Sequence, residues 1–476
     1  MLELLRRQVT SVFFRQSAFA LALVLAWAHP GIAQLSTHDQ LARDILEELI
    51  EIRSTAAAVE NTVVAAEAMA RRLLDAGFPP EDVQVVVGPG PQVGNLVVRY
   101  RADDDGQKPI LFMAHLDVVD ALRSDWSFEP YEFREEDGYF YGRGTSDNKA
   151  GCVTIVANFI RLKKEGFTPK RDLIGVLTGD EETDGTGIDW LVREHRELID
   201  AAFAINSDAG GGATIDGKPH RFTVQASEKI YLTFHLEVKN PGGHSSIPRP
   251  DNAIYRLMGA LSSLSEYTFP VHLNEVTRTF FERSAELEDD ATAADMRAAA
   301  SDPPDTAAAA RLGRLSSFYN AMLRTTCVAT RLEAGHADNA LPQTARATVN
   351  CRILPNELPD DIEAKLKEVI NDDAVTLTRV NDPVQSPPSP LDPAVMAPIS
   401  EIVEAMWPGV PIIPRMSTGA TDGLYVRNAG IPVYGVSAIF DDPDDVRAHG
   451  RDERVPVKSF YEANEFWYRM LQALSR

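Results

Sequence analysis

"TGDEETDG", Thr178 to Gly185, closes the apolar run "DLIGVL" with two adjacent glutamates, Glu181 and Glu182. Like charges side by side repel, and desolvating either one costs free energy unless a partner compensates it. A buried strand that ends on such a pair needs a reason. Outward from it the chain alternates between two textures. The runs "VQVVVG", "NLVVRYR", "PILFMAHLDVV" and "AAFAINSD" read as strands. The segments "LARDILEELIEI", "TVVAAEAMARRLLDAGF" and "NKAGCVTIVANFIRLKKEG" carry helical periodicity. Strands that alternate with helices point to an α/β layer structure around a largely parallel sheet.

From about Ile230 the pattern changes. "YLTFHLEVK" alternates apolar and polar residues, as a half-exposed strand does. The helix "NAIYRLMGALSSL" follows, then an Ala-rich stretch, the strand pair "TTCVATRL" and "ARATVNCRIL", the helix "DDIEAKLKEVI" and the strand "AVTLTRV". That is a compact α+β unit in β-α-β-β-α-β order. The proline-rich "NDPVQSPPSPLDP" leads out of it, and the remainder returns to the α/β texture. The small unit therefore reads as an insertion. The expected division is a signal segment at 1–33, a catalytic layer at 34–228 and 382–476, and the inserted unit at 229–381.

A chain of 476 residues is long enough for two such units, and its formal net charge of −23 speaks against nucleic acid as a partner. At the N-terminus, Arg6, Arg7 and Arg15 precede the apolar run "SAFALALVLAWA" and a small-residue site at Gly31 and Ala33. This pattern predicts a cleaved secretory signal, with an uncleaved anchor as the alternative. The mature protein is then secreted, periplasmic in a Gram-negative cell, with no stable membrane insertion. The three cysteines, Cys152, Cys327 and Cys351, are too few for a disulfide scaffold. Cys327 and Cys351 could face each other across a hairpin, and two buried free thiols are the expected state.

Ligand-type residues recur at the C-terminal ends of the expected strands, where open α/β sheets place their sites. They are His115 and Asp117 in "AHLDVV", Asp147 in "GRGTSDNKAG", Glu181 and Glu182, Asp208 in "INSDAGG" and His449 in "RAHGRDERV". Two imidazoles and several carboxylates are a donor set that a pair of Zn²⁺ ions accepts. Co²⁺ or Mn²⁺ would suit the same donors.

In order, the motifs "AHLDVV", "YGRGTSDNKAG", "GDEETDGTG", "NSDAGG", "NPGGHSSIP" and "AHGRDERV" resemble those of the dinuclear zinc peptidases and amidohydrolases of family M20. That group includes carboxypeptidase S, the aminoacylases and the carnosinase-type dipeptidases. "VKNPGGHSSIPRP" and "LPQTARATVNCRILP" are most similar to the carboxypeptidase S and N-acyl-amino-acid amidase branch. The resemblance implies a zinc-exopeptidase-like α/β catalytic domain with an inserted lid or dimerisation domain, and a homodimer through that lid. It implies that His115, Asp147 and Asp208 bind one zinc and that Asp147, Glu182 and His449 bind the other. Asp147 bridges the two, and the bond from Asp147 to Asn148 is cis. Asp117 orients the His115 ring. Glu181 is the general base for a water held at the metals. It further implies that His244 donates to the oxyanion, that Asn339 is its polar companion, that Arg352 holds a substrate carboxylate, and that Thr418 and Gly419 belong to a loop cradling the substrate's terminal group. The implied substrate is a small peptide or an N-acyl amino acid, cut beside a free carboxylate. A binding protein of the same fold without turnover is the alternative, but it has no use for a base beside its ligands.

Overall fold

Continuous apolar runs make the centre of the main sheet. Ile110–His115 and Leu173–Thr178 are buried at every position, as strands covered on both faces must be. A computed structural model describes residues 35–89, 92–103, 106–183 and 185–476; the expected signal segment, 1–33, lies outside them. Ile110–His115 lies parallel between Leu173–Thr178 and Phe203–Asn206, and Val433–Gly435 continues the parallel set. Alternate residues feed two cores. Phe112 and Ala114 pack with Ala150, Val153 and Phe466, whereas Leu111 and Met113 pack with Ile188, Leu191 and Val426. The expected α/β layering is thus present.

The sheet is more mixed than expected. Val83–Val87 and Gly94–Tyr100 pair antiparallel with each other, and Gly94–Tyr100 is antiparallel to Leu173–Thr178. The two strands are joined by a short connection rather than a crossover helix, and only antiparallel neighbours can be linked that way.

The inserted unit has its own sheet, in the order Thr326–Ala334, Thr344–Ile353, Ile230–Lys239, Val375–Arg379. Helices Ala253–Glu266 and Pro359–Ile370 cover one face, joining Leu257, Leu366, Phe234 and Val349 in a separate core. The expected β-α-β-β-α-β order is the one observed.

Two expectations are corrected. Cys327 and Cys351 are not free thiols but a disulfide, their strands being in a register that sets them opposite each other with Cα atoms 4.0 Å apart. Cys152 is free and buried. The Ala-rich stretch was assigned to the lid, yet its helices Glu275–Ser284, Asp290–Ala299, Thr306–Leu315 and Ser317–Leu323 build a core of their own that includes Ile413 and Met416 of the main-sheet strand Ile412–Ser417. Side chains of Asn274, Asp289, Asp305 and Ser316 accept the first free N–H groups of these helices, which is how such short helices are kept intact. Among the described residues no helix is long and apolar enough to cross a membrane.

Candidate metal and catalytic centre

Parallel pairing levels the strand ends. His115 is in register with Thr178 and Met113 with Asn206, so His115, the Glu181–Glu182 turn and Asp208 emerge at one edge. Asp147 arrives from the turn before helix Lys149–Lys164, through a cis bond to Asn148. His449 arrives from the segment before Arg454–Pro456.

These side chains converge. The His115 Nε2 lies 3.1 Å from Asp147 Oδ1 and 3.4 Å from Asp208 Oδ1. The His449 Nε2 lies 3.2 Å from Asp147 Oδ2 and 2.9 Å from Glu182 Oε2. Asp147 thus turns one oxygen to each imidazole. Donor atoms of His115, Asp147 and Glu182 lie within 4.8 Å of one another, as do those of His115, Glu181 and Asp208. His115 is 1% exposed, whereas the His449 side chain is 54% exposed and closes the open side.

Electrostatics follow from this crowding. Burial opposes charge on His115, but Asp208, Asp117 and Asp147 outweigh it and hold its pKa well above the usual value. Hydrogen bonds that the His449 ring donates to Asp147 and Glu182 raise its pKa to about 10. Burial pushes Glu181 well above the carboxylate range, with Asp208 adding to it, and pushes Asp208 up to about 6 against the pull of His115. Burial also acts to raise Asp147, but its bonds to both imidazoles hold it below its usual value. Among the described residues no Lys or Arg forms an ion pair with Asp147, Glu181, Glu182 or Asp208. A set of carboxylates and imidazoles without a basic counterion fits a pair of divalent cations.

Asp117 differs from expectation in detail. Its main-chain oxygen is the near partner of His115 Nδ1, at 2.9 Å, while its carboxylate is 3.6 Å away. The carboxylate is engaged by the backbone N–H groups of Glu181 and Glu182, at 3.1 and 2.9 Å. One residue therefore aims both the imidazole and the glutamate pair.

Two residues of the site carried no expectation. Glu453 is fully buried; its Oε1 accepts from the Ser146 and Asp147 N–H groups at 2.9 and 3.0 Å, and its Oε2 from Arg143 at 2.6 Å and the Gly144 N–H at 3.0 Å. It holds the Asp147 turn against the His449 segment. Asp422, also buried, accepts from Thr178 Oγ1 at 2.5 Å, and burial keeps its carboxyl well above the usual range.

Two cavities flank the cluster. One, of about 230 Å³, is lined by Glu181, Lys229, Tyr231, Thr421 and Asp422. The other, of about 200 Å³, is lined by Asp147, Asn148, Asp208, Arg447 and Arg454. Arg352 stacks on the ring of Tyr231, at 4.6 Å, and Tyr231 lines the first cavity while Arg352 itself does not. Thr418 and Gly419 lie at the start of the loop whose Ala420, Thr421 and Asp422 line that cavity. The loop is fixed by Glu228, which accepts from the Thr421 N–H and pairs with buried Arg427 at 2.5 Å. His244 and Asn339 are not brought to the cluster: both are exposed on the lid, tied to each other's strands through the Ser245 N–H to Asn339 carbonyl bond. The His244 Nδ1 is 2.8 Å from Ser246 Oγ.

The comparisons agree with this architecture. The N-fatty-acyl-amino acid synthase/hydrolase PM20D1 of Xenopus tropicalis is 29% identical over 384 residues, 79% of this chain and 74% of that protein. The probable carboxypeptidase S-like 2 of Dictyostelium discoideum is 27% identical over 79% of this chain and 74% of its own length. Among solved structures, the M20 family metallo-carboxypeptidase Sso-CP2 of Sulfolobus solfataricus superposes with a TM-score of 0.68 at 19% identity, covering 91% of this chain and 99% of that one. Human carnosine dipeptidase 1 gives 0.61 at 15% identity over 92% and 97%. The model of peptidase family M20/M25/M40 matches residues 111–473, a span that holds every residue of the cluster, and the chain belongs to that family.

Proposed function

We propose that this M20 hydrolase is a secreted, dinuclear zinc enzyme that cleaves a peptide or amide bond beside a free carboxylate. The observation that supports it best is the Asp147 carboxylate, whose two oxygens face two imidazoles, each backed by a further carboxylate. His115, Asp147 and Asp208 would hold one cation and Asp147, Glu182 and His449 the other. A bound pair of such ions polarises a carbonyl and makes water more acidic.

The chain's own groups do the rest. Glu181 takes a proton from the attacking water at its carboxylate and delivers it to the leaving nitrogen. Burial raises its proton affinity, which suits a group that must carry the proton between two steps. Asp117 fixes both Glu181 and His115 through main-chain contacts. Arg352, stacked on Tyr231, offers a guanidinium fork to the substrate carboxylate, and the Thr418–Gly419 loop closes the same side. His244, with Asn339, supplies the oxyanion donor when the lid of this chain or of a second copy covers the cluster. The expected assembly is a homodimer through residues 229–381.

The names of the relatives narrow the substrate to two classes, N-acyl amino acids and short peptides cut from the carboxylate end. A panel of dipeptides, one longer peptide and several N-acyl amino acids, each also as its C-terminal amide, decides between them. Chelator-sensitive turnover of the free acids, with the amides lost in KM, is the expected result. Turnover that survives chelation, or is equal on the amides, overturns the reading. Amino-terminal sequencing of exported protein beginning after Ala33 tests secretion.

A further inference from the structure

Three arginines of the described residues are buried: Arg143, Arg324 and Arg427. Two are neutralised by an equally buried glutamate, Arg143 by Glu453 at 2.6 Å and Arg427 by Glu228 at 2.5 Å. Arg324, 7% exposed, has no such partner. Its Nη1 donates to the Phe269 carbonyl at 3.2 Å, and its Nε is buried with no acceptor. Burial alone shifts its pKa, downward, with no acid acting on it. Its main-chain carbonyl accepts from Lys229 Nζ at 2.7 Å, so no acid reaches the guanidinium from that side either. Glu357, the acid of this corner, is engaged by Thr325 Oγ1 and by His272 at 3.3 Å. An uncompensated buried cation is costly, so the fold keeps Arg324 there at a penalty.

Arg324 lines a cavity of about 440 Å³ in the lid, between the end of helix Ala253–Glu266 and the edge strand Thr326–Ala334. Leu261, Leu264, Phe269, Val349 and Leu366 make its apolar wall, and among the described residues Arg324 is the only charged one that lines it. The volume falls in the range of small-molecule sites. None of the residues of the metal cluster borders it. Ser265, Thr268, Asn320, Thr325 and Thr326 share the lining, so one cation and several hydroxyl and amide groups face an apolar wall, a surface that suits an acid group at one end and hydrocarbon along the other.

We propose that this lid cavity is a second ligand site, separate from the catalytic centre, that binds a medium-chain aliphatic carboxylate with its acid group on Arg324 and its chain among Leu261, Leu264, Phe269 and Leu366. Charge-assisted hydrogen bonds to a guanidinium supply the anchor. Each methylene enclosed tightens binding by up to about fourfold.

Calorimetric titration of the metal-loaded mature protein with dodecanoate, octanoate and dodecanol tests this. Dodecanoate should bind one per chain, tighter than octanoate, and dodecanol at least about tenfold more weakly. Arg324→Met should weaken dodecanoate at least about tenfold while hydrolysis of a short substrate is unchanged. Should Arg324→Met not fold, Ser265→Trp at the exposed rim should block the same binding. Absence of dodecanoate binding, equal binding of dodecanol, or binding untouched by both substitutions overturns the proposal; the last places the acid in the catalytic cluster.

Discussion

Where the main sheet ends, His115, Asp147, Glu182, Asp208 and His449 stand within hydrogen-bonding reach of one another. On the lid, His244 and Asn339 are exposed and meet only their own loops. The first group is held by buried acceptors and parallel strands, so its geometry exists before any substrate arrives. The second rests on a two-residue ladder, Gly243–His244 against Ala340–Leu341, and has no buried partner to fix it. Preorganised groups stabilise developing charge without reorganising; exposed ones must be brought in. On the proposed function, the cluster is in place before substrate binds and His244 has to be carried to it.

Substitutions can break that comparison, beginning where the effect is largest. Glu181→Gln should lower kcat by about 10²–10⁴-fold with both metals retained, read by steady-state rates beside elemental analysis. A full rate would remove Glu181 from the role of base. His244→Ala should cost about 10²–10³-fold in kcat with metal content unchanged, although the residue sits outside the cluster. No loss would confine the chemistry to the main sheet. Glu453→Gln sharpens the contrast from the other side, because its effect should appear in the metals. Their affinity should fall about 10–100-fold, measured by competition with a chromogenic chelator. Asn274→Ala, which uncaps a helix packed on Ile412–Ser417, should lower stability by about 1 kcal/mol in urea unfolding and leave kcat unaltered.

Much of this was legible in the chain, for reasons that differ between the regions. Burial on both faces writes itself as unbroken apolar runs, and the β-α-β-β-α-β unit as alternation, so both could be read. Strand direction could not, because "VQVVVG" and "NLVVRYR" look the same whether their neighbours run parallel or antiparallel. The four capped helices between Glu275 and Leu323 were hidden by their position: inserted in the lid's sequence, they share a core with the strand Ile412–Ser417, which follows only after the rest of the lid. The Cys327–Cys351 bond depends on register, which a pair of apolar runs leaves open. The cluster itself was readable because its members sit in short motifs of ligand-type residues, His115, the Glu181–Glu182 pair and Asp208 at or just past strand ends and Asp147 and His449 in loops. Glu453 was not, since its partners are mostly main-chain N–H groups, which leave no trace in side-chain identity.

The Glu453 carboxylate has a consequence for biogenesis. Its bond to the Asp147 N–H joins positions 306 apart in the chain, and His449 meets Glu182 across 267. Such contacts are the slowest to form, because a long loop must close before they give anything back. While a nascent chain is still emerging, the strands bearing His115, Glu182 and Asp208 can stack, but the turn presenting Asp147 has no acceptor and the open side has no imidazole. The cluster is therefore completed last, with the segment that bears His449 and Glu453, just ahead of the final helix, Val457–Leu474. An unfinished or C-terminally clipped chain by this order lacks both the completed cluster and the Phe466 and Trp467 side chains that fill the core beneath it.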